Sequence, residues 1–169
     1  MVSAAARKPP IERCGTLPRT HVLAACRSRG AWVSLLEGTD AALASAGGQC
    51  AIVLASVIGT RIVGASVGDC GAWLVDDTTT DLTAKQFRKP LLGSGASSAV
   101  PFEAELNPGA TLLLASDGLL KHAPHDRIWS LVRERELHSA AVRLSELPRL
   151  RSGALPDDVA VVLCRASTR

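Results

Sequence analysis

The chain has 169 residues, 47% of them hydrophobic and 21% charged, with only 3% aromatic and no Tyr. That is apolar material for one domain whose core is packed by Leu, Val, Ile and Ala, and it excludes an intrinsically disordered polymer. The formal net charge of +3 is uneven: in residues 1–30, Arg7, Lys8, Arg13, Arg19, Arg27 and Arg29 face a single acid, Glu12. No aromatic side chain is interleaved with these bases for stacking, so nucleic acid is not expected as a partner and the segment reads as a solvated arm.

Taken in order, residues 1–30 form this basic, poorly ordered lead-in, broken by Pro9, Pro10, Gly15 and Pro18. Arg7, Lys8 and two prolines follow Met1–Ala6 at once, which excludes the apolar stretch of a secretory signal. No apolar run reaches membrane-spanning length, so no membrane partner is expected. Ala31 to Ala46 predicts a helix, with Trp32, Leu35, Leu36 and Leu43 on its apolar side and Gly47-Gly48 as its stop. Three glycine-divided runs follow, Cys50–Val57, Thr60–Val67 and Gly71–Val75, and their tight turns predict an antiparallel meander. The first two are almost continuously apolar, as strands covered on both faces are. Asp76 to Pro108 reads as a long polar excursion. Thr111–Ala115 predicts a strand, Pro124–Leu137 and His138–Leu147 predict helices, and Val159–Cys164 predicts a last strand. Helices and strands are segregated rather than alternating, which gives an α+β class. The chain divides into residues 1–30 and one domain over 31–169.

Five cysteines, Cys14, Cys26, Cys50, Cys70 and Cys164, are odd in number and contain no C-x-x-C pair. They read as reduced thiols of a cytoplasmic protein, the last three as small hydrophobes inside apolar runs. Trp32, Trp73 and Trp129 read as core. His122, His125 and His138 have no cysteine at zinc-ligand spacing. The loop Gln86–Gly95 carries Arg88 and Lys89 and reads as a solvated loop that could also meet a phosphate; it lacks the Gly-Lys-Ser/Thr of a P-loop.

Three acids share one placement. Asp69 follows the run ending at Val67, Asp117 follows the strand ending at Ala115, and Asp157 precedes the strand from Val159. Each alone reads as a turn residue, since Asp beside Gly or Asp is common in turns. If the three strands are neighbours, the carboxylates converge and require a cation. Oxygen ligands select hard ions such as Mn²⁺ or Mg²⁺.

Four segments carry a resemblance. Val63 to Leu74 (VGASVGDCGAWL) resembles the strand pair "ANVGDSRAVL" of the PP2C (PPM) protein serine/threonine phosphatases. Leu112 to Leu119 resembles that family's "LASDGLWD" element, Asp157 to Val162 its "DNITVV" element, and Gly47 to Val53 its "GGTTAVV" strand start. All four occur in family order, between about Ala31 and Arg165. The resemblance implies an αββα sandwich of two antiparallel sheets flanked by helices, incomplete at the N-terminus. It implies hydrolysis of phosphoserine and phosphothreonine in a phosphorylated protein substrate, by a water activated at Mn²⁺ or Mg²⁺. It implies Asp117 and Asp157 as metal ligands, with Asp69 as a ligand shared with Asp117 at a third, weaker metal site.

The sequence departs from the family at "DGHGG", the segment that supplies the bridging carboxylate and a proposed general acid. Residues 1–30 hold no Asp, and His21 lacks the flanking acid and glycines. The expectation is therefore a truncated domain with too little negative charge for a tight two-metal centre and with exposed sheet edges. The alternative reading is an inactive, pseudophosphatase-like module that binds a protein. A smaller departure replaces the family's Ser-Arg by Cys70-Gly71.

Overall fold

The computed structural model describes residues 28–166. Of the basic arm of residues 1–30, all but the last three residues lie outside the described part.

Helix α1 (Arg29–Ala46) starts where Ser28 accepts a hydrogen bond from Ala31 N at 3.2 Å, and stops where Gly47 enters the left-handed region at φ 81°. Both ends are thus satisfied by cap residues. Trp32, Leu36 and Asp40, spaced by four, form its buried stripe. Strand β1 (Ile52–Ile58) turns through Gly59-Thr60 into β2 (Arg61–Val67), with Gly59 at φ 63° as a two-residue hairpin requires.

The expected meander stops there. Gly68, at φ 93°, carries the chain across to a second sheet, and β3 (Gly71–Val75) does not pair with β2. A Cβ at Gly68 would lie 2.7 Å from that of Ala51, so the crossing is too tight for a side chain. The excursion from Asp76 to Pro108 in fact contains two strands, β4 (Thr79–Asp81) and β5 (Val100–Glu105). β5 was hidden because only Phe102 is fully buried and Glu103 and Glu105 bracket a single alanine. Pro101, unable to donate to a ladder, fits its edge position. Strand β6 (Thr111–Ala115) falls where expected, followed by the short helix α2 (Asp117–Leu120), α3 (His125–Val132), α4 (Leu137–Glu146) and β7 (Val161–Arg165). The expected helix over Pro124–Leu137 breaks after Val132. Glu136 begins the next one by accepting from His138 N at 3.0 Å and Ser139 N at 2.6 Å.

The first sheet has the order β1-β2-β5 and the second β4-β3-β6-β7, all pairs antiparallel. Period two sorts the buried strand residues into three packed layers. Val63, Ala65 and Val67 face α1, against Trp32 and Leu36. Ile62, Ala72, Phe102 and Leu112 fill the space between the sheets. Trp73, Val75, Leu113 and Ala115 meet Leu119, Ile128, Leu131 and Val132 of the other helices. This is the αββα sandwich, and it explains the nearly continuous apolar run of β2, which is covered on both faces. Each fully buried Ile, Leu or Val contributes about 1.5–3 kcal/mol against exposure. Gly64 holds the first sheet close: a Cβ there would stand 2.3 Å from Leu54 O and from the Phe102 ring.

Three smaller expectations are corrected. β1 is an edge strand of intermediate burial rather than a strand covered on both faces. Cys50 is exposed, and Cys70 and Cys164 are only half-buried. Trp129 is 37% exposed because it lies outside the helix–sheet layer, under the guanidinium of Arg133 at 4.5 Å. Arg165 of β7 ties the last strand to the helices. It donates to Val132 O and Glu134 O at the end of α3, at 2.7 and 2.9 Å, and to Thr111 Oγ1 at 2.7 Å.

Candidate active site

The acids meet at one rim of the second sheet. Asp69 lies on the crossing between the sheets, between Gly68 and Cys70. Asp117 opens α2 immediately after β6, with Ser116 as the preceding cap residue. Ser116 also fastens the approach to β7: its hydroxyl donates to Asp158 O at 2.9 Å and accepts from Ala160 N at 3.0 Å, and its own N–H donates to Ala160 O at 3.0 Å. The backbone of Asp157 and Asp158 therefore runs directly over Gly118. A Cβ at Gly118 would lie 2.3 Å from Asp158 O, which is why glycine stands there. The neighbour of this glycine is thus a backbone carbonyl.

Asp69 and Asp117 are drawn together by Lys121, one turn along from Asp117. Its ammonium donates to Asp69 Oδ2 at 3.0 Å and to Asp117 Oδ2. The two carboxylates, Asp117 first, raise the pKa of Lys121 above its ordinary value. Asp157 behaves differently. It is exposed, its carboxylate accepts from Asp158 N at 2.8 Å, and it does not line the cleft that holds the other two.

That cleft has a volume of about 260 Å³. Trp73, Leu120 and His125 form its apolar side, the His125 ring standing edge-on to Trp73 at 4.9 Å. Gly71 makes room: a Cβ there would be 2.4 Å from Leu120 Cδ1. On the other side Thr83 accepts from Ala72 N at 3.2 Å and donates to Asp81 at 2.7 Å, and Gln86 donates to Cys70 O at 2.8 Å. Arg88 completes the lining and makes no ion pair with any described residue. The loop carrying Gln86 and Arg88 is anchored behind the site by Asp40, whose carboxylate accepts from Gly93 N and from Ser97 N. The Cys70 thiol is pushed up to about 11, by burial first and then by Asp69 and Asp117, so it is a poor nucleophile.

Of the three acids singled out in the sequence, the structure brings Asp69 and Asp117 together and leaves the Asp157 carboxylate on its own loop. Among the described residues no group of three or more His, Cys, Asp or Glu side chains is gathered as a ready metal cage, and His122 and His138 lie outside the cleft. Lys121, His125 and Asp81 are lining residues that sequence reasoning did not place there, while Arg88 lies on the loop that the sequence read as solvated but able to meet a phosphate. For Lys121 a signal existed: the "LASDGLWD" element ends in an acid, and the residue at that position here is a lysine. Whether the donors fit a hard cation can be judged from the ammonium itself. It is a positive charge within hydrogen-bond reach of both Asp69 and Asp117, so one small cation can be shared by both, and the donors are all carboxylate oxygens. In charge and donor type the pair fits Mn²⁺ or Mg²⁺.

The family model described as Stage II sporulation protein E (SpoIIE) matches residues 35–167. No relative matches among the curated proteins. Among solved structures, the catalytic domain of the serine/threonine protein phosphatase PstP, in complex with two manganese ions, superposes with a TM-score of 0.71 at 22% identity, over 85% of this chain and 78% of that one. The serine/threonine phosphatase Stp1 from Staphylococcus aureus gives 0.67 at 18% identity, over 92% and 72%. PppA, a regulatory component of the T6SS in Pseudomonas aeruginosa, gives 0.66 at 16% identity, over 82% and 68%. The fold is therefore that of the PP2C phosphatase catalytic domains.

Proposed function

The chain belongs to the Stage II sporulation protein E (SpoIIE) family, and on that premise we propose that it is a PP2C-like protein serine/threonine phosphatase that hydrolyses phosphoserine and phosphothreonine in a protein substrate. The observation that carries this reading is the meeting of Asp69 and Asp117 at a cleft that also presents Lys121 and Arg88. Carboxylates there attract a hard cation, while the bases attract a phosphate.

Asp117 and Asp157 would hold Mn²⁺ or Mg²⁺, while Asp69 faces the same rim with its carboxylate paired to Lys121. When bound, the ion supplies Lewis acidity and lowers the pKa of a water. The chain's own residues do the rest. Arg88 is the uncommitted guanidinium of the cleft, and a guanidinium fork suits phosphate oxygens. Trp73 and Leu120 shield one side of the cleft from bulk water, which strengthens the charge interactions there. Ser116 and Gly118 fix Asp117 to the β7 approach, so two of the proposed ligand residues are positioned by one hydrogen-bonded knot. No covalent intermediate is required, in keeping with the protonated Cys70.

Among the described residues no helix is long and apolar enough to cross a membrane. The cytoplasm is the compartment we assign, from cysteines without a C-x-x-C pair. The test is hydrolysis of p-nitrophenyl phosphate and of a phosphothreonine peptide by the full chain, with and without millimolar Mn²⁺, beside Asp117→Asn. Mn²⁺-dependent turnover lost in the variant supports the reading. A folded chain without turnover on either substrate would overturn it and leave a protein-binding module.

A further inference from the structure

We propose that Lys121 is a resident cation of the cleft, its ammonium holding the place between Asp69 and Asp117 that a divalent ion would otherwise take. The inference deepens the proposed reading of the same site and rests on it only for the identity of the competing ion.

The argument begins with charge. Without Lys121 the cleft would set Asp69, Asp81 and Asp117 against Arg88 alone, a surplus of two negative charges, which is what one divalent ion neutralises. Lys121 removes half of that surplus from within the chain. In the family element quoted above, the residue four places after the Asp is acidic, so the exchange to lysine moves the rim by two charges at a single position. It turns a potential ligand into a competitor.

Geometry makes the competitor effective. Lys121 lies four residues after Asp117, one turn further along at the end of α2, the order in which an acid and a lysine pair best. Its Nζ reaches Asp69, 52 residues away in sequence, at 3.0 Å. One ammonium thus satisfies a carboxylate from each of two elements, as an ion would. Because it is tethered, it competes at an effective concentration on the order of millimolar or above. A divalent ion must displace it to bind there, and a carboxylate pair that is already neutralised gains less from the exchange. The site is therefore predicted to take no ion between Asp69 and Asp117 in the native chain, leaving metal to Asp117 with Asp157.

The experiment counts ions rather than turnover. Mn²⁺ is titrated into the full chain, and free Mn²⁺ is read by electron paramagnetic resonance, for the native protein, Lys121→Met, Lys121→Gln, Lys121→Arg and the double variant Lys121→Met with Asp69→Asn. Removing the ammonium should add one bound Mn²⁺ per chain or tighten binding by about tenfold or more, the effect of one lost charge near the rim. The gain should vanish with Asp69→Asn and be absent in Lys121→Arg. A second readout is the thermal midpoint, which Mn²⁺ should raise further in Lys121→Met than in the native chain, by mass action at the added site. Lys121→Gln, closer in size and polarity, serves if the methionine variant does not fold. Equal Mn²⁺ uptake by the native and neutralised chains, or a gain that survives Asp69→Asn, would overturn the proposal. Neither result depends on whether the protein is a phosphatase.

Discussion

Asp40 under α1 and the Asp69–Asp117 pair at the cleft solve the same problem in opposite ways. Asp40 is 5% exposed, and its carboxylate is satisfied by the backbone N–H groups of Gly93 and Ser97. Burial pushes its pKa up, but the hydrogen bonds from Gly93 and Ser97 outweigh this and hold it below the ordinary value. Those donors cannot leave without unfolding the loop. Asp69 and Asp117 sit at a rim and are satisfied by a lysine side chain, which can leave by rotation. A carboxylate held by amides is a structural staple. One held by an ammonium is exchangeable, and only the second kind can serve chemistry.

Substitutions can break this contrast. The largest expected effect is that of Asp40→Ala, which strands two N–H groups of the Gly93–Ser97 loop and should lower the thermal midpoint by roughly 5–10 °C. Asp69→Asn should move it by no more than about 2 °C. Thermal denaturation followed by circular dichroism decides, and equal losses would erase the distinction. Next come two glycines. Gly64→Ala and Gly118→Ala each force a Cβ to within 2.3 Å of a carbonyl oxygen, and each should cost about 1–3 kcal/mol in urea unfolding. Only Gly118→Ala should also depress turnover beyond its loss of folded protein, because only it displaces the Asp157–Asp158 approach. Thr83→Val, which leaves Ala72 N without its side-chain acceptor, should cost about 1 kcal/mol.

The smallest effect is a pH dependence. Asp40 has a folded pKa below its ordinary 3.8, so its stabilisation is complete above pH 3.8 and is lost as pH falls through the folded value. The stability gap between the native chain and Asp40→Asn should be constant from pH 5 to 7 and narrow below pH 3.8. Acid titration of the unfolding midpoint reads this directly, and a gap that widens in acid would contradict the assignment.

How far the sequence carried depended on what kind of signal each feature leaves. β2, β3 and β6 were readable because strands buried between two layers are apolar at almost every position. β5 was not, since one phenylalanine opposite Gly64 does the work of a whole face and the rest is solvated. The break between the sheets at Gly68 looks in sequence like any hairpin turn. Nothing local tells a turn that reverses within a sheet from one that leaves it, and so a meander was expected. Asp69 and Asp117 were found through motif resemblance and proved to be neighbours. Asp157 lies beside them through its backbone, while its carboxylate turns to its own loop. Asp40, the most constrained acid described, has no sequence signature, because its partners are main-chain groups more than fifty residues away.

The crossing from β2 to β3 also has a mechanical side. Asp117 is fixed wholly to the second sheet, whereas Asp69 sits on the strap that joins the two sheets. The spacing of the two carboxylates is therefore a gauge of how the layers of the sandwich are aligned. A small slide of one sheet over the other would open or close the grip on whatever cation lies between them, without any change in the residues that make it.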